Sequence, residues 1–176
     1  MPKQTEIRIA GLGGQGVVMA GHILGKAAVY DRLQVVQTQS YGAEARGSAA
    51  KSEVIISDQK IGFPVVRKSD VLVAMSQTAL DKHLKDLKPD GVLIVDEGMI
   101  KEAPPLQIKV FKAAATRTAE TEFKSKMYAN MVMLGVITKI TNTVTPNSIE
   151  KAISDTFLAE AAEKNIMAFR AGLTLT

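Results

Sequence analysis

The chain has no cysteine and no tryptophan, only two histidines, and 5% aromatic residues in a length of 176. Without cysteine this chain holds no disulfide, thiolate nucleophile, Cys-ligated zinc or ordinary iron–sulfur cluster. Alone it is no iron–sulfur electron carrier. His22 and His83 have neither a second histidine nor paired acids at a ligand spacing, so a metal site has little to be built from, and each reads as a solvated or hydrogen-bonded side chain. No window reaches the roughly eighteen unbroken apolar residues of a membrane span. The opening MPKQTEIRI lacks the apolar stretch and small-residue cleavage site of a secretory signal, so a cytoplasmic location is expected. Charge of one sign is not concentrated either. The 22 Lys and Arg and 18 Asp and Glu leave a net charge of +4, interleaved along the chain with few aromatics, which argues against nucleic-acid binding. Mild attraction to an acidic partner is all it supports.

What is present is an ordinary globular composition, 46% hydrophobic and 23% charged, in a length that suits one domain over residues 1–176. Strand and helix signals alternate. EIRIAG (6–11) reads as a strand, and residues 14–30 carry Val17, Ala20, Gly21, Leu24 and Ala28 on one helix face. LQVVQTQ (33–39) is a second strand, followed by a loop, SYGAEARGS (40–48). Residues 49–64 read as a strand, a polar turn at Ser57 to Gln59 and a return strand ending at Pro64, a hairpin that implies antiparallel pairing. The apolar runs 69–76 and 91–97 suit strands covered on both faces, with a helix between them over 77–91. LQIKVFKAA (106–114) is a last strand. Helices follow from about Thr118, including 130–140, a segment entered at Thr145-Pro146, and 157–173. The expected fold class is α/β: a three-layer, Rossmann-like, mostly parallel sheet with a hairpin excursion and C-terminal helices.

GLGGQG matches G-x-G-x-x-G at Gly11, Gly13 and Gly16, placed after a first strand and opening a helix as in dinucleotide-binding folds. Such folds also place an acid at the end of the second strand to hold the ribose. Here that strand ends VVQTQS, and Asp31 falls before it, at the wrong end. A stand-alone NAD- or FAD-binding protein therefore stays as an alternative, beside a reading in which the glycines only let helix and sheet pack closely.

Taken together, GLGGQGVVMAGHILGKAA, QSYGAEARGS, SEVIIS and NMVMLG resemble the gamma subunit of the 2-oxoacid:ferredoxin oxidoreductases, over about Ile7 to Gly135. The family oxidises pyruvate, 2-oxoglutarate, 2-ketoisovalerate or indolepyruvate, and in single-chain pyruvate:ferredoxin oxidoreductase the equivalent is one internal domain. The pairing of the glycine loop with Ser-Tyr-Gly-x-Glu-x-Arg-Gly carries the resemblance. The family commonly has a second glycine after Arg-Gly, where this chain has Ser48. The resemblance implies oxidative decarboxylation of a 2-oxoacid to acyl-coenzyme A, with thiamine diphosphate, Mg and iron–sulfur clusters on partner subunits and electrons delivered to ferredoxin. It implies alpha and beta, and in some complexes delta, partners, no activity in this chain alone, no membrane partner, and self-association through an exposed apolar patch when the chain is isolated. Nothing in the chain marks it as holding a catalytic residue or a metal.

The candidate cofactor-binding residues are Gly11, Gly13, Gly14, Gln15 and Gly16, whose backbone N–H groups open a helix, with Arg46 placed to pair with a phosphate of coenzyme A. Candidates near the active site or a subunit interface are Ser40, Tyr41, Gly42, Glu44, Gly47 and Asn130. Glu44 and Arg46 also suit a simple surface pair, and Tyr41 suits plain core. Asn130 is either a helix cap or a donor toward the glycine loop. Met127, Met131 and Met133 read as gap-filling core.

Overall fold

Among the described residues six strands and six α-helices follow the alternation in the sequence. The computed structural model describes residues 4–42, 48–102 and 107–175. The strands are β1 (Gln4–Leu12), β2 (Gln34–Tyr41), β3 (Ala49–Ser57), β4 (Ser69–Ala74), β5 (Leu87–Asp96) and β6 (Lys109–Ala113). The helices are α1 (Val17–Tyr30), α2 (Gln77–His83), α3 (Ala115–Phe123), α4 (Ala129–Thr141), α5 (Pro146–Ser154) and α6 (Ala159–Leu173). The strands form one sheet in the order β2-β3-β1-β4-β5-β6.

The sheet's two-residue period divides the core. Ile7, Ile9, Val54, Ile56, Val71, Val73 and Ile94 face α1 and the C-terminal helices, while Leu72, Ala74, Leu93 and Val95 face Leu80 of α2. The layers are therefore three, but unequal. Residues Ala129 to Thr138 of α4 are all buried, which is why NMVMLGVI is apolar on every side: this helix lies inside the helical layer rather than on it. α5 begins where the sequence places it. Thr145 caps it by accepting from the Ser148 N–H at 3.3 Å, and Asp31 accepts from the Thr145 N–H at 2.6 Å, tying the end of α1 to the start of α5.

The hairpin is a correction. Residues 58–68 form no strand, and β3 is instead the return strand of β2, inserted antiparallel between β2 and β1. Every residue from Ala49 to Ser57 is paired on its β1 side, and Ala50 to Ser57 also on the β2 side, so β3 is an interior strand with no edge left for residues 60–64. The β1–β4, β4–β5 and β5–β6 pairings are parallel, making the sheet mixed. The helix expected over 77–91 is shorter too. α2 stops at His83, a single 3-10 turn covers Leu84–Asp86, and β5 starts at Leu87.

Candidate functional site

β1 and β2 point the same way, because each is antiparallel to β3, so their carboxyl ends and the start of β3 share one edge of the sheet. There the glycine segment turns into α1. Gly14 has φ 94° and Gly16, the residue before α1, has φ 71°, values that a side chain adopts only at a cost. A Cβ at Gly16 would also lie 2.4 Å from Asn130 Nδ2.

The turn is locked from three sides. Gln15 Oε1 accepts from the Leu12 N–H at 2.6 Å, and its Nε2 donates to the Met75 carbonyl at 2.7 Å, joining the ends of β1 and β4. The Gly13 N–H donates to the Ser48 carbonyl at 2.7 Å. Asn130 Nδ2 donates to the Gly16 carbonyl at 3.2 Å while its Oδ1 accepts from the Met131 N–H at 2.9 Å. Asn130 is inside α4 rather than its cap, which is Tyr128. Of its two sequence readings, the donor toward the glycine loop is the one seen.

These bonds decide which backbone donors remain. Gly13 and Gln15 donate inward, the latter to the Leu12 carbonyl at 3.1 Å. Among the described residues the N–H groups of Gly14, Gly16 and the first turn of α1, Val17 to Met19, meet no backbone acceptor, and Gly16 supplies no side-chain cap. The first turn holds no acid. Of the segment Gly13 to Gly16 only Gly14 and Gly16 therefore keep a free backbone donor, and the first turn of α1 adds the rest.

Beside them is a groove of about 390 Å³ lined by Leu12, Val18, Met19, His22, Gln39 and Tyr41 among others. Tyr41, at the end of β2, is 62% exposed and is not core. Ser40 is exposed next to it, and the Gly42 N–H closes the β2–β3 ladder on the Ala49 carbonyl at 2.7 Å. Gly11 is buried under Gln15 and Met75. Glu44, Arg46 and Gly47 lie outside the described residues. Ser48 is buried, and its carbonyl pins Gly13. His22 and Gln39 were not singled out as site residues, although both line the groove; His22 lies one helical turn after Val18 on α1, a spacing the sequence does contain.

A second polar cluster lies on the opposite face of the sheet. Arg8, 3% exposed, donates to Glu53 at 2.7 Å, to Asp86 at 3.3 Å and to the Val66 carbonyl at 3.0 Å, and Lys51 reaches Glu53 at 3.0 Å. His83 beside it is buried, and burial, with the positive charges of Arg8 and Lys51, pushes its pKa down to about 4. Through the Val66 carbonyl the cluster ties the segment 58–68 to the sheet at one point. Of the three methionines assigned to the core, Met131 and Met133 are there, but Met127 is 75% exposed.

The chain matches the model of the pyruvate ferredoxin/flavodoxin oxidoreductase family over residues 6–175. It is 50% identical over 172 residues to the 2-oxoglutarate synthase subunit KorC of Methanocaldococcus jannaschii, covering 96% of this chain and 92% of that protein. Its fold is similar to the gamma subunit of a keto/oxoacid ferredoxin oxidoreductase from Geobacter sulfurreducens, with TM-score 0.84, 41% identity, and coverage of 96% of this chain and 95% of that one. It is also similar to a chain of 2-oxoglutarate:ferredoxin oxidoreductase from Magnetococcus marinus, solved with 2-oxoglutarate, coenzyme A and succinyl-CoA bound. That match has TM-score 0.90 at 28% identity and covers 98% of this chain but 31% of the longer one.

Proposed function

The chain belongs to the pyruvate ferredoxin/flavodoxin oxidoreductase family, and within it we propose that it serves a complex acting on 2-oxoglutarate, making succinyl-coenzyme A and reducing ferredoxin. It is a gamma subunit of a multi-subunit 2-oxoacid:ferredoxin oxidoreductase. The single observation behind the choice of 2-oxoglutarate is the 50% identity to a 2-oxoglutarate synthase subunit over nearly the whole of both chains. The dinucleotide alternative is not favoured. Its ribose acid belongs at the end of a second strand lying parallel beside the first, whereas here antiparallel β3 occupies that place and β2 ends in Ser40 and Tyr41.

In such a complex thiamine diphosphate with Mg would supply the carbanion chemistry of decarboxylation and iron–sulfur clusters would carry the electrons; this chain, with no cysteine, leaves the clusters to alpha, beta or further subunits, and the resemblance assigns thiamine diphosphate and Mg to them as well. The gamma chain's part is to present the corner of the glycine turn in the cytoplasm to its partners and to coenzyme A. The N–H groups of Gly14, Gly16 and Val17 to Met19, without a backbone acceptor among the described residues and at the positive end of a 14-residue helix, suit a phosphate. Arg46, between β2 and β3, suits the same phosphate by a bidentate contact. Gln15, Ser48 and Asn130 hold the turn so that those donors are already oriented when the anion arrives. The test is steady-state kinetics of the assembled complex with Arg46→Ala. The reading expects a raised coenzyme A requirement with 2-oxoglutarate affinity nearly unchanged; an unaltered coenzyme A dependence returns the glycine turn to a packing device.

A further inference from the structure

The two edges of the sheet are unlike. β6 is five residues long and carries Lys109 and Lys112, the short, lysine-bearing form by which edge strands avoid pairing with other chains. β2 is eight residues, QVVQTQSY, without charge or proline. Its register against β3 runs unbroken from Gln34↔Ser57 to Tyr41↔Ala50, so no bulge turns it away. Its outer N–H and C=O groups face no strand among the described residues. Thr38 to Tyr41 are exposed in succession, on both faces of the sheet, and the last of them borders the groove over α1.

We propose that the outer edge of β2 receives an extended, uncharged segment of a partner subunit as a seventh strand, with an apolar side chain of that segment seated in the groove between Tyr41 and α1. The inference rests on the gamma-subunit reading. A strand of eight residues is about 27 Å long, and edge pairing by itself covers far less than the roughly 800 Å² per partner of a stable interface. Adjoining contact is needed, and the groove, with Leu12, Val17, Val18, Met19 and Ala50 in its wall, provides it at one end only. A second copy of this chain, paired antiparallel about a two-fold axis, would bring the start of its own β2 to that end. Asp31 and the exposed Arg32 precede it, and they do not suit an apolar groove. The matching region of the Magnetococcus marinus relative is 31% of a longer chain, which leaves other segments of that protein available as its neighbour.

The test is residue-resolved hydrogen exchange on the isolated chain and on the complex assembled with its partner subunits. Alternate β2 amides, those pointing away from β3, are expected to exchange freely in the isolated chain and to slow by roughly 100-fold or more in the complex. The double variant Gln34→Lys, Ser40→Lys, which gives β2 the lysines β6 already has, is expected to melt like the parent and to weaken assembly roughly tenfold or more. Assembly with those amides still exchanging freely overturns the inference and leaves the subunit reading standing. Protection that appears in the isolated chain as it dimerises gives the edge to a second copy and overturns the partner assignment. Failure to assemble with any partner set overturns the subunit reading and this inference with it.

Discussion

Replacing Gly16 with alanine tests the coupling between the glycine turn and α4. The substitution meets two separate obstacles. At φ 71° an alanine is strained, by about 1–2 kcal/mol. Its Cβ would also lie 2.4 Å from Asn130 Nδ2 and 2.8 Å from Asn130 Cγ, an overpacking that costs about 1–3 kcal/mol. The single variant should therefore lose about 2–5 kcal/mol. Asn130→Ala removes the donor to the Gly16 carbonyl and the acceptor for the Met131 N–H at a buried position, costing about 1–3 kcal/mol. In the double variant the Nδ2 and Cγ atoms are gone and only the residue-130 Cβ, 3.1 Å away, is left in contact, so most of the steric part is relieved while the backbone strain stays. The double should be more stable than the sum of the singles by about 1–3 kcal/mol. Urea unfolding of the isolated chain, followed by circular dichroism, measures all four corners of the cycle. Additivity within about 0.5 kcal/mol would refute the reasoning, because it would mean that Asn130 does not fill the space left by the missing Cβ.

Arg8→Met should cost about 2–4 kcal/mol in the same assay, below the top of the range for broken buried pairs, because Lys51 still reaches Glu53 at 3.0 Å; a cost below about 1 kcal/mol would show the cluster to be ornamental. His83, with its folded pKa lowered from 6.5 to about 4, contributes stability that is present above pH 6.5 and lost as pH falls toward 4, by a total of about 1–3 kcal/mol. Urea midpoints across that window should fall more steeply for the parent than for His83→Gln, and parallel slopes would contradict the assignment. Asp96 is fully buried, its pKa raised by burial and opposed by the N–H and hydroxyl of Thr116. Thr116→Val should cost about 1–3 kcal/mol at pH 7, and an unchanged unfolding midpoint would show that the hydroxyl is not needed there.

Periodicity made β1, α1, β4 and the later helices legible, because each buries one clear face or all faces. The Thr145-Pro146 signal places the start of α5 because cap and proline act within a few residues of each other. β3 itself is legible as a strand, but its partner is not, for the opposite reason. Which strand lies beside which is a long-range fact, and SEVIIS reads the same whether its partner is β2 before it or residues 60–64 after it. α2 was overextended because Leu80, Leu84 and Leu87 keep helical spacing across a turn that in fact hands Leu87 to β5. At the candidate site the positive φ at Gly14 and Gly16 is what glycine at those positions suggests. Which N–H groups remain open was not readable, since Ser48, Gln15 and Leu12 decide it through contacts that no local pattern records.

The most direct test of the gamma-subunit account is 2-oxoglutarate-dependent reduction of ferredoxin in the presence of coenzyme A, measured on the partner subunits with and without this chain. The account predicts no turnover by this chain alone, little by the partners alone, and full turnover when the chain is added back, with 2-oxoglutarate preferred over pyruvate. Full turnover by the partners without this chain, or decarboxylation of any 2-oxoacid by this chain alone, would contradict it.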